Sequence, residues 1–163
     1  MCSILGMLNF KRVISSRDIQ LLQEMGKTLT HRGPDQSGLY SGEHFAFQHN
    51  RLAIIDIENG RQPMTACHEG YEYTIVYNGE LYNTEDLRQE LLKHGVKFRT
   101  YCDTEVVLYA YIIWGEECAA KLNGIYAFVV YDSKKEKAYL ARDRFGIKPF
   151  FYTFVEGGLI FAS

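Results

Sequence analysis

The sequence predicts an α+β protein, in which helices are inserted between segments with the pattern of β-strands. Three observations indicate this class. The chain begins with an apolar strand-like segment, helical spacing occurs twice in the first two thirds, and strand patterns dominate after residue 123. At 163 residues, 47% of them hydrophobic, the chain is long enough to enclose a core. We therefore expect residues 1–163 to form one domain.

The predicted strands are apolar or alternating runs separated by turn residues. In chain order they are Cys2–Leu8, Gly38–Tyr40, His44–Gln48, Arg51–Ile57, Tyr71–Tyr77, Phe98–Tyr101, Gly124–Tyr131, Ala138–Ala141, Phe150–Phe154 and Leu159–Ala162. Gly6 interrupts the first run and predicts a close approach by another backbone. A strand at this end of the chain would hold the N-terminus rigidly.

Each predicted helix combines a capping signal with an apolar repeat or run. The signals are Ser15-Ser16 with a repeat to Leu29, Asn83 or Thr84 with a stop at Gly95, and Asp103 with the run Val106–Trp114. Asp103 is most simply the N-cap of the third helix. Its carboxylate would also suit a substrate ammonium group, and the two roles are compatible.

Two polar positions have both a structural and a functional interpretation. Asn78-Gly79 follows a predicted strand and is by itself most typical of a turn. Its side-chain amide and glycine N–H are also two neutral donors that can bind one developing oxyanion. Arg51 is either a charge at a strand edge or a fork of donors for a carboxylate.

Composition argues against several classes of partner. The net charge is −2, with both signs scattered along the chain, so no nucleic-acid surface or polybasic membrane contact is indicated. No apolar run is long enough to cross a bilayer and no secretory signal is visible, so we expect a cytoplasmic protein. The four cysteines and five histidines show no spacing typical of a metal site, and we expect neither bound metal nor disulfides.

The first two residues can supply a nucleophile and its base. Removal of Met1 would leave Cys2 with a free α-amine. A thiol titrates near ~8.5 and an α-amine near ~7.7–8.0, so the amine can accept the thiol proton near neutral pH. A terminal nucleophile activated by its own amine is an established catalytic arrangement, although Met-Cys alone is weak support for it.

Seven short motifs, each weak alone, occur in one order along the chain. They are Cys2–Ile4 with Gly6, His31–Asp35, Arg51–Ile54, Tyr77–Asn83, Asp103–Glu105, Asn123–Phe128 and Arg142–Pro149. Together they resemble the glutaminase domain of glutamine-hydrolysing asparagine synthetases, a class II glutamine amidotransferase domain of the N-terminal nucleophile hydrolase type. The resemblance covers essentially the whole chain. It implies a four-layer αββα sandwich of two mostly antiparallel sheets.

The resemblance also implies roles for the matched residues in hydrolysing glutamine through a thioester. Cys2 is the implied nucleophile, Asn78 and Gly79 form the oxyanion hole, Arg51 binds the α-carboxylate beside Leu52 and Ile54, and Glu80 and Asp103 hold the α-amino group. Each assignment matches the charge of the group to be bound. Met1 departs from the pattern, because its amine would stand in the place of the Cys2 amine.

The resemblance places the remaining chemistry outside these residues. No cofactor is expected in this domain, and ATP and Mg²⁺ belong to a C-terminal synthetase domain that receives the ammonia. That domain is absent here, so we expect the sequence to be a piece of a longer chain. Glutamine and the synthetase domain are the expected partners, and a homodimer is left open.

Two alternatives compete with this interpretation. The chain could belong to another class II amidotransferase, such as one that forms phosphoribosylamine or glucosamine phosphate. It could also be a glutamine-binding or scaffold module without catalysis. The motifs Arg51–Ile54 and Arg142–Pro149 favour the asparagine synthetase type, and the presence of Cys2, Asn78 and Asp103 argues against a module without activity.

Overall fold

The computed structural model describes residues 1–54 and 56–163. Its first sheet is built from β1 (Ser3–Asn9), β2 (Gln36–Ser41), β3 (Phe45–Arg51), β8 (Phe151–Val155) and β9 (Gly158–Ala162). The spatial order is β2-β3-β1-β9-β8, and every neighbouring pair is antiparallel. The N-terminal strand therefore lies in the middle of a sheet.

The second sheet is built from β4 (Met64–His68), β5 (Tyr71–Leu81), β6 (Gly124–Asp132) and β7 (Lys137–Arg142). These strands follow one another in space as in sequence, and all their pairings are antiparallel. The helices are α1 (Ser16–Thr28), α2 (Thr84–Lys93), α3 (Asp103–Trp114) and the short α4 (Cys118–Lys121).

The two sheets face each other, and helices cover their outer faces. Between the sheets, Ile4 and Phe47 of the first sheet pack with Val76 of the second. On the opposite face of β1, Leu5 packs with Leu22 of α1. The outer face of the second sheet packs against α2 and α3. This arrangement confirms the αββα layering, because each sheet buries one face against its partner and the other against helices.

The order of helices and strands largely follows the sequence patterns. The first predicted helix begins as expected, since Ser15 and Asp18 form a reciprocal capping box. The N-terminal strand, the early hairpin and the strand-rich last third are confirmed. The crowding predicted at Gly6 is also present, but a Cβ there would meet the rings of Phe47 and Phe161 rather than a backbone.

Two strand predictions are wrong. Arg51 ends β3 instead of beginning a strand, and residues 52–54 and 56–57 form no strand, while Ile55 lies outside the described residues. Phe98–Tyr101 forms no strand either, because the backbone N–H groups of Arg99 and Thr100 donate to the buried carboxylate of Glu105. Strand β4 was not predicted at all.

The structure also differs from the turn expected at Asn78-Gly79 and from the N-cap expected at Asp103. Asn78-Gly79 is not a turn, because β5 continues through it to Leu81 and pairs with β6 from Tyr73 to Leu81. Asp103 is the first residue of α3, and Cys102 occupies the N-cap position. The carboxylate of Asp103 is therefore available for contacts beyond its own helix.

Candidate active site

A cavity of about 280 Å³ opens where the N-terminus meets the two sheets. Its size lies near the lower end of ligand pockets, about 300–1,000 Å³, and suits a ligand as small as one amino acid. Every residue that the sequence singled out contributes to its wall, namely Cys2, Arg51, Leu52, Ile54, Asn78, Gly79, Glu80 and Asp103. The sequence assigned no role in substrate binding or catalysis to the other lining residues, although Met1 was expected to be removed and Tyr77, Thr104 and Lys148 belong to the seven motifs. The remaining lining residues are Gly60, Gln62 and Cys102.

The thiol of Cys2 lies against the segment that follows β3. Its Sγ is 3.4 Å from the backbone nitrogen of Leu52 and 3.6 Å from the carbonyl oxygen of the same residue. The Cys2 carbonyl oxygen accepts a bond of 3.4 Å from Nε of Arg32. Because β1 begins at the next residue, paired with Asn50, the thiol is attached to a rigid sheet rather than a frayed terminus.

Met1 lines the mouth of the same cavity. Its sulfur accepts a bond of 3.4 Å from Nζ of Lys148, a lysine that is only 8% exposed. The Met1 side chain is 61% exposed, so it lies over the cavity rather than in the core. Removal of Met1 would therefore open the cavity as well as free the Cys2 amine.

Asn78 and Gly79 are held by the pairing of β5 with β6, opposite Ala127 and Tyr126. Asn78 is 2% exposed, and its Nδ2 donates to Oγ of Ser163 at 3.5 Å. A Cβ at position 79 would collide with the carbonyl oxygen of Ile125 and the ring of Tyr77. Glycine is thus required there by close packing, and its backbone is left open to the cavity.

The backbone just before Asn78 is fixed by two side chains that no motif indicated. The side chain of Gln62 accepts from the N–H of Tyr77 at 2.7 Å and donates to its carbonyl oxygen at 3.1 Å. Because the pairing of β4 with β5 begins only at Met64, this side chain takes the place of a neighbouring strand beside Tyr77. Nε2 of His49 lies 3.1 Å from the same carbonyl oxygen. Burial lowers the pKa of His49 to about 4, so its ring is neutral near pH 7.

Arg51 is buried and shapes the loop beside the cavity. Its guanidinium donates to Oε1 of Gln36 at 2.9 Å and to the carbonyl oxygens of Asp56 and Ile57 at 2.8 and 2.9 Å. A Cβ at Gly60 would press on this guanidinium. The predicted carboxylate fork thus lies at the cavity, but several of its donors also hold the loop.

The two acidic residues predicted to hold an ammonium group differ in setting. Oδ2 of Asp103 accepts from the hydroxyl of Tyr77 at 2.9 Å and from the N–H of Leu81 at 3.2 Å. Burial raises the pKa of Asp103 above its usual range, although these hydrogen bonds oppose the change. Glu80, by contrast, is exposed at the cavity rim. Asp103 is the more firmly positioned carboxylate.

Residues 1–54 and 56–163 contain neither a candidate membrane-spanning helix nor a candidate metal cluster. No helix there is long and apolar enough to cross a membrane. The same residues hold no group of three or more His, Cys, Asp or Glu side chains arranged to bind a metal ion. The four cysteines are all free thiols, with Cys2 half-buried and Cys67 exposed.

Comparison with known proteins identifies the family. The family model described as "Glutamine amidotransferase domain" matches residues 1–163. The chain belongs to this family. Two relatives from Bacillus subtilis (strain 168), named asparagine synthetase [glutamine-hydrolyzing] 3 and 1, are 50% and 42% identical to it over its whole length. The chain spans 26% of the length of each of these relatives.

A solved structure supports the fold of this amidotransferase domain. A protein described as the allosteric regulatory enzyme of purine biosynthesis superimposes with a TM-score of 0.80 at 21% identity, covering 99% of this chain and 42% of that one. At this identity the likeness shows the fold alone, which is that of the N-terminal nucleophile hydrolases. The family and the fold that the seven motifs predicted are both confirmed.

Proposed function

We propose that this domain hydrolyses glutamine to glutamate and ammonia through a thioester on Cys2, once Met1 has been removed. The observation that carries the proposal is one cavity that joins the Cys2 thiol to Asn78-Gly79, an arginine and a buried aspartate. These groups match a substrate with an amide at one end and a zwitterion at the other. Membership of the glutamine amidotransferase family supports the same substrate.

The zwitterion is bound by the charged part of the cavity. Arg51 binds the α-carboxylate, beside the backbone of Leu52 and Ile54. Asp103, assisted by Glu80 at the rim, binds the α-ammonium group. The side-chain amide then extends toward Cys2.

The chemical steps use the amine and thiol of Cys2. The thiol proton passes to the α-amine, sulfur attacks the amide carbon, and the carbonyl electron pair moves to oxygen, where Asn78 and Gly79 donate hydrogen bonds. Breaking the C–N bond restores the carbonyl, the amine gives its proton to the leaving nitrogen, and ammonia departs. Water, deprotonated by the same amine, then cleaves the thioester to glutamate and the free thiol.

We further propose that residues 1–163 are one domain of a cytoplasmic asparagine synthetase. The names of the relatives and the share of their length that is matched support this assignment. In the whole protein, a synthetase domain that uses ATP and Mg²⁺ would activate aspartate and receive the ammonia. The glutaminase domain itself would need no cofactor.

The direct test is to incubate the Met1-processed chain with glutamine and measure both products. We expect glutamate and ammonia in equal amounts, with the mature N-terminus verified by mass spectrometry. A folded, processed chain that binds glutamine without releasing glutamate would instead indicate a binding module and contradict the proposal.

Replacing Tyr77 by phenylalanine is expected to weaken glutamine binding. The Tyr77 hydroxyl stabilises ionised Asp103, so its loss raises the pKa of Asp103 further. At a pH where Asp103 is protonated in the variant but ionised in the wild type, the KM for glutamine should rise roughly tenfold or more, because a hydrogen bond to a charged group contributes about 1.5–3 kcal/mol. The rise should grow as the pH falls through the pKa of Asp103, where the carboxylate is protonated.

A matched control exists in α3, the helix that begins at Asp103. Tyr111 in α3 donates from its hydroxyl to Oδ2 of Asp132 at 3.0 Å, away from the cavity. Tyr111→Phe therefore removes an equivalent buried bond. It should change the melting temperature without changing KM, whereas an equal change in KM for both variants would count against the role of Tyr77.

A further inference from the structure

Ser163 places its hydroxyl beside the strand that carries Cys2. Its N–H donates to the carbonyl oxygen of Ile4 at 2.9 Å, and its Oγ accepts from the N–H of Ile4 at 3.1 Å. The residue is 6% exposed. Two bonds to one backbone thus fix the hydroxyl two residues from the nucleophile.

The same oxygen is in contact with the side chain of Asn78, 85 positions earlier in the sequence. Nδ2 of Asn78 lies 3.5 Å from Oγ of Ser163, at the long end of hydrogen bonding. Such bonds in sites without substrate often shorten when the reacting complex forms. The terminal torsion of asparagine has no sharp preference of its own, so the plane of this amide must be set by a neighbour.

We propose that Ser163 is a positioning residue for the oxyanion hole: its hydroxyl fixes the amide of Asn78 relative to β1 and so to Cys2. The proposal rests on the proposed glutaminase function. It adds a residue that none of the seven motifs included, and one that does not line the cavity.

The geometry explains how one hydroxyl can preorganise a donor. An amide nitrogen has two hydrogens in one plane. When one hydrogen points at Ser163, the direction of the other is fixed. In this arrangement the second hydrogen is free to point into the cavity, where the glutamine amide oxygen will lie. An oxyanion donor is effective only when it is aimed before the charge develops, so loss of this anchor should lower turnover more than substrate binding.

The first test compares Ser163→Ala with Ser163→Thr in glutamate release. We expect Ser163→Ala to lower kcat about tenfold or more and to leave KM within about twofold. Ser163→Thr keeps the hydroxyl and should restore most of kcat. Unchanged turnover in Ser163→Ala, or no restoration by threonine in a variant with the wild-type melting temperature, would overturn the proposal.

Ser133 provides a control for the effect that losing a serine hydroxyl has on stability alone. Its N–H donates to the carbonyl oxygen of Glu72 at 3.1 Å and its Oγ accepts from the N–H of Glu72 at 2.9 Å, the same double contact that Ser163 makes with Ile4. Ser133 is not at the cavity. Ser133→Ala should lower the melting temperature comparably without changing kcat, and an equal loss of kcat would assign the effect to stability alone.

A double-mutant cycle tests whether Ser163 acts through Asn78. In an Asn78→Ala background, Ser163→Ala should have no further effect on kcat, and an undiminished effect would overturn the proposal.

A second readout does not require turnover. A glutamine analogue with an aldehyde in place of the amide adds the Cys2 thiol as a hemithioacetal, and Ser163→Ala should weaken its binding by the same factor as kcat. If the wild-type chain releases no glutamate, the proposed function fails. In that case, the affinity of the Ser163→Ala variant for the aldehyde, compared with that of the wild-type chain, still decides the role of Ser163.

Discussion

Replacing Cys2 by alanine is expected to reduce glutamate release to the uncatalysed background, a loss of more than about 10⁴-fold. The substitution removes the atom that would form the thioester, which lies beside the backbone of Leu52. The fold should persist, because the residue is half-buried and precedes β1. Glutamine binding, measured by calorimetry, should survive with an affinity close to that of the wild type.

The unprocessed chain separates the role of the thiol from that of its base. A chain that retains Met1 keeps the Cys2 thiol, but its free amine belongs to Met1, whose side chain also lies at the cavity. Glutamate release should be absent from this form and should begin when a methionine aminopeptidase removes Met1. Equal activity before and after removal would show that the α-amine of Cys2 is not the base.

How much of this site the sequence could predict depends on the range of the contacts. Cys2, Asn78 and Asp103 were found because each belongs to a short motif, and the structure brings them to one cavity. Gln62 and Ser163 were missed because their contacts join residues 15 and 85 positions apart and leave no local pattern.

The errors in local structure have a similar cause. Asn78-Gly79 has the composition of a turn, but nine paired positions between β5 and β6 outweigh a local preference of two residues. Phe98–Tyr101 has a strand pattern, but the buried carboxylate of Glu105 takes the N–H groups that a neighbouring strand would have bound. The deciding hydrogen bonds are long-range strand pairs in the first case and bonds to a side chain five or six residues away in the second, and a pattern of side chains reveals neither.

Replacing Asn78 by alanine is expected to lower kcat by about 10²–10³, the usual effect of removing one oxyanion donor. The KM for glutamine should change little, because Arg51 and Asp103 bind the other end of the substrate. The backbone of β5 should be unaffected, since it pairs with β6 on both sides of this position. Steady-state rates of glutamate release and the melting temperature would be measured together.

Asn78→Asp separates the loss of the donor from the loss of the side chain. Aspartate has nearly the shape of asparagine and can still accept from the Ser163 hydroxyl, but its charge opposes the developing oxyanion. Its kcat should therefore fall at least as far as that of Asn78→Ala. If alanine lowered kcat/KM through a higher KM with unchanged kcat, Asn78 would bind the ground state of glutamine rather than the oxyanion. Only a loss confined to kcat assigns Asn78 to the charge that develops on the amide oxygen.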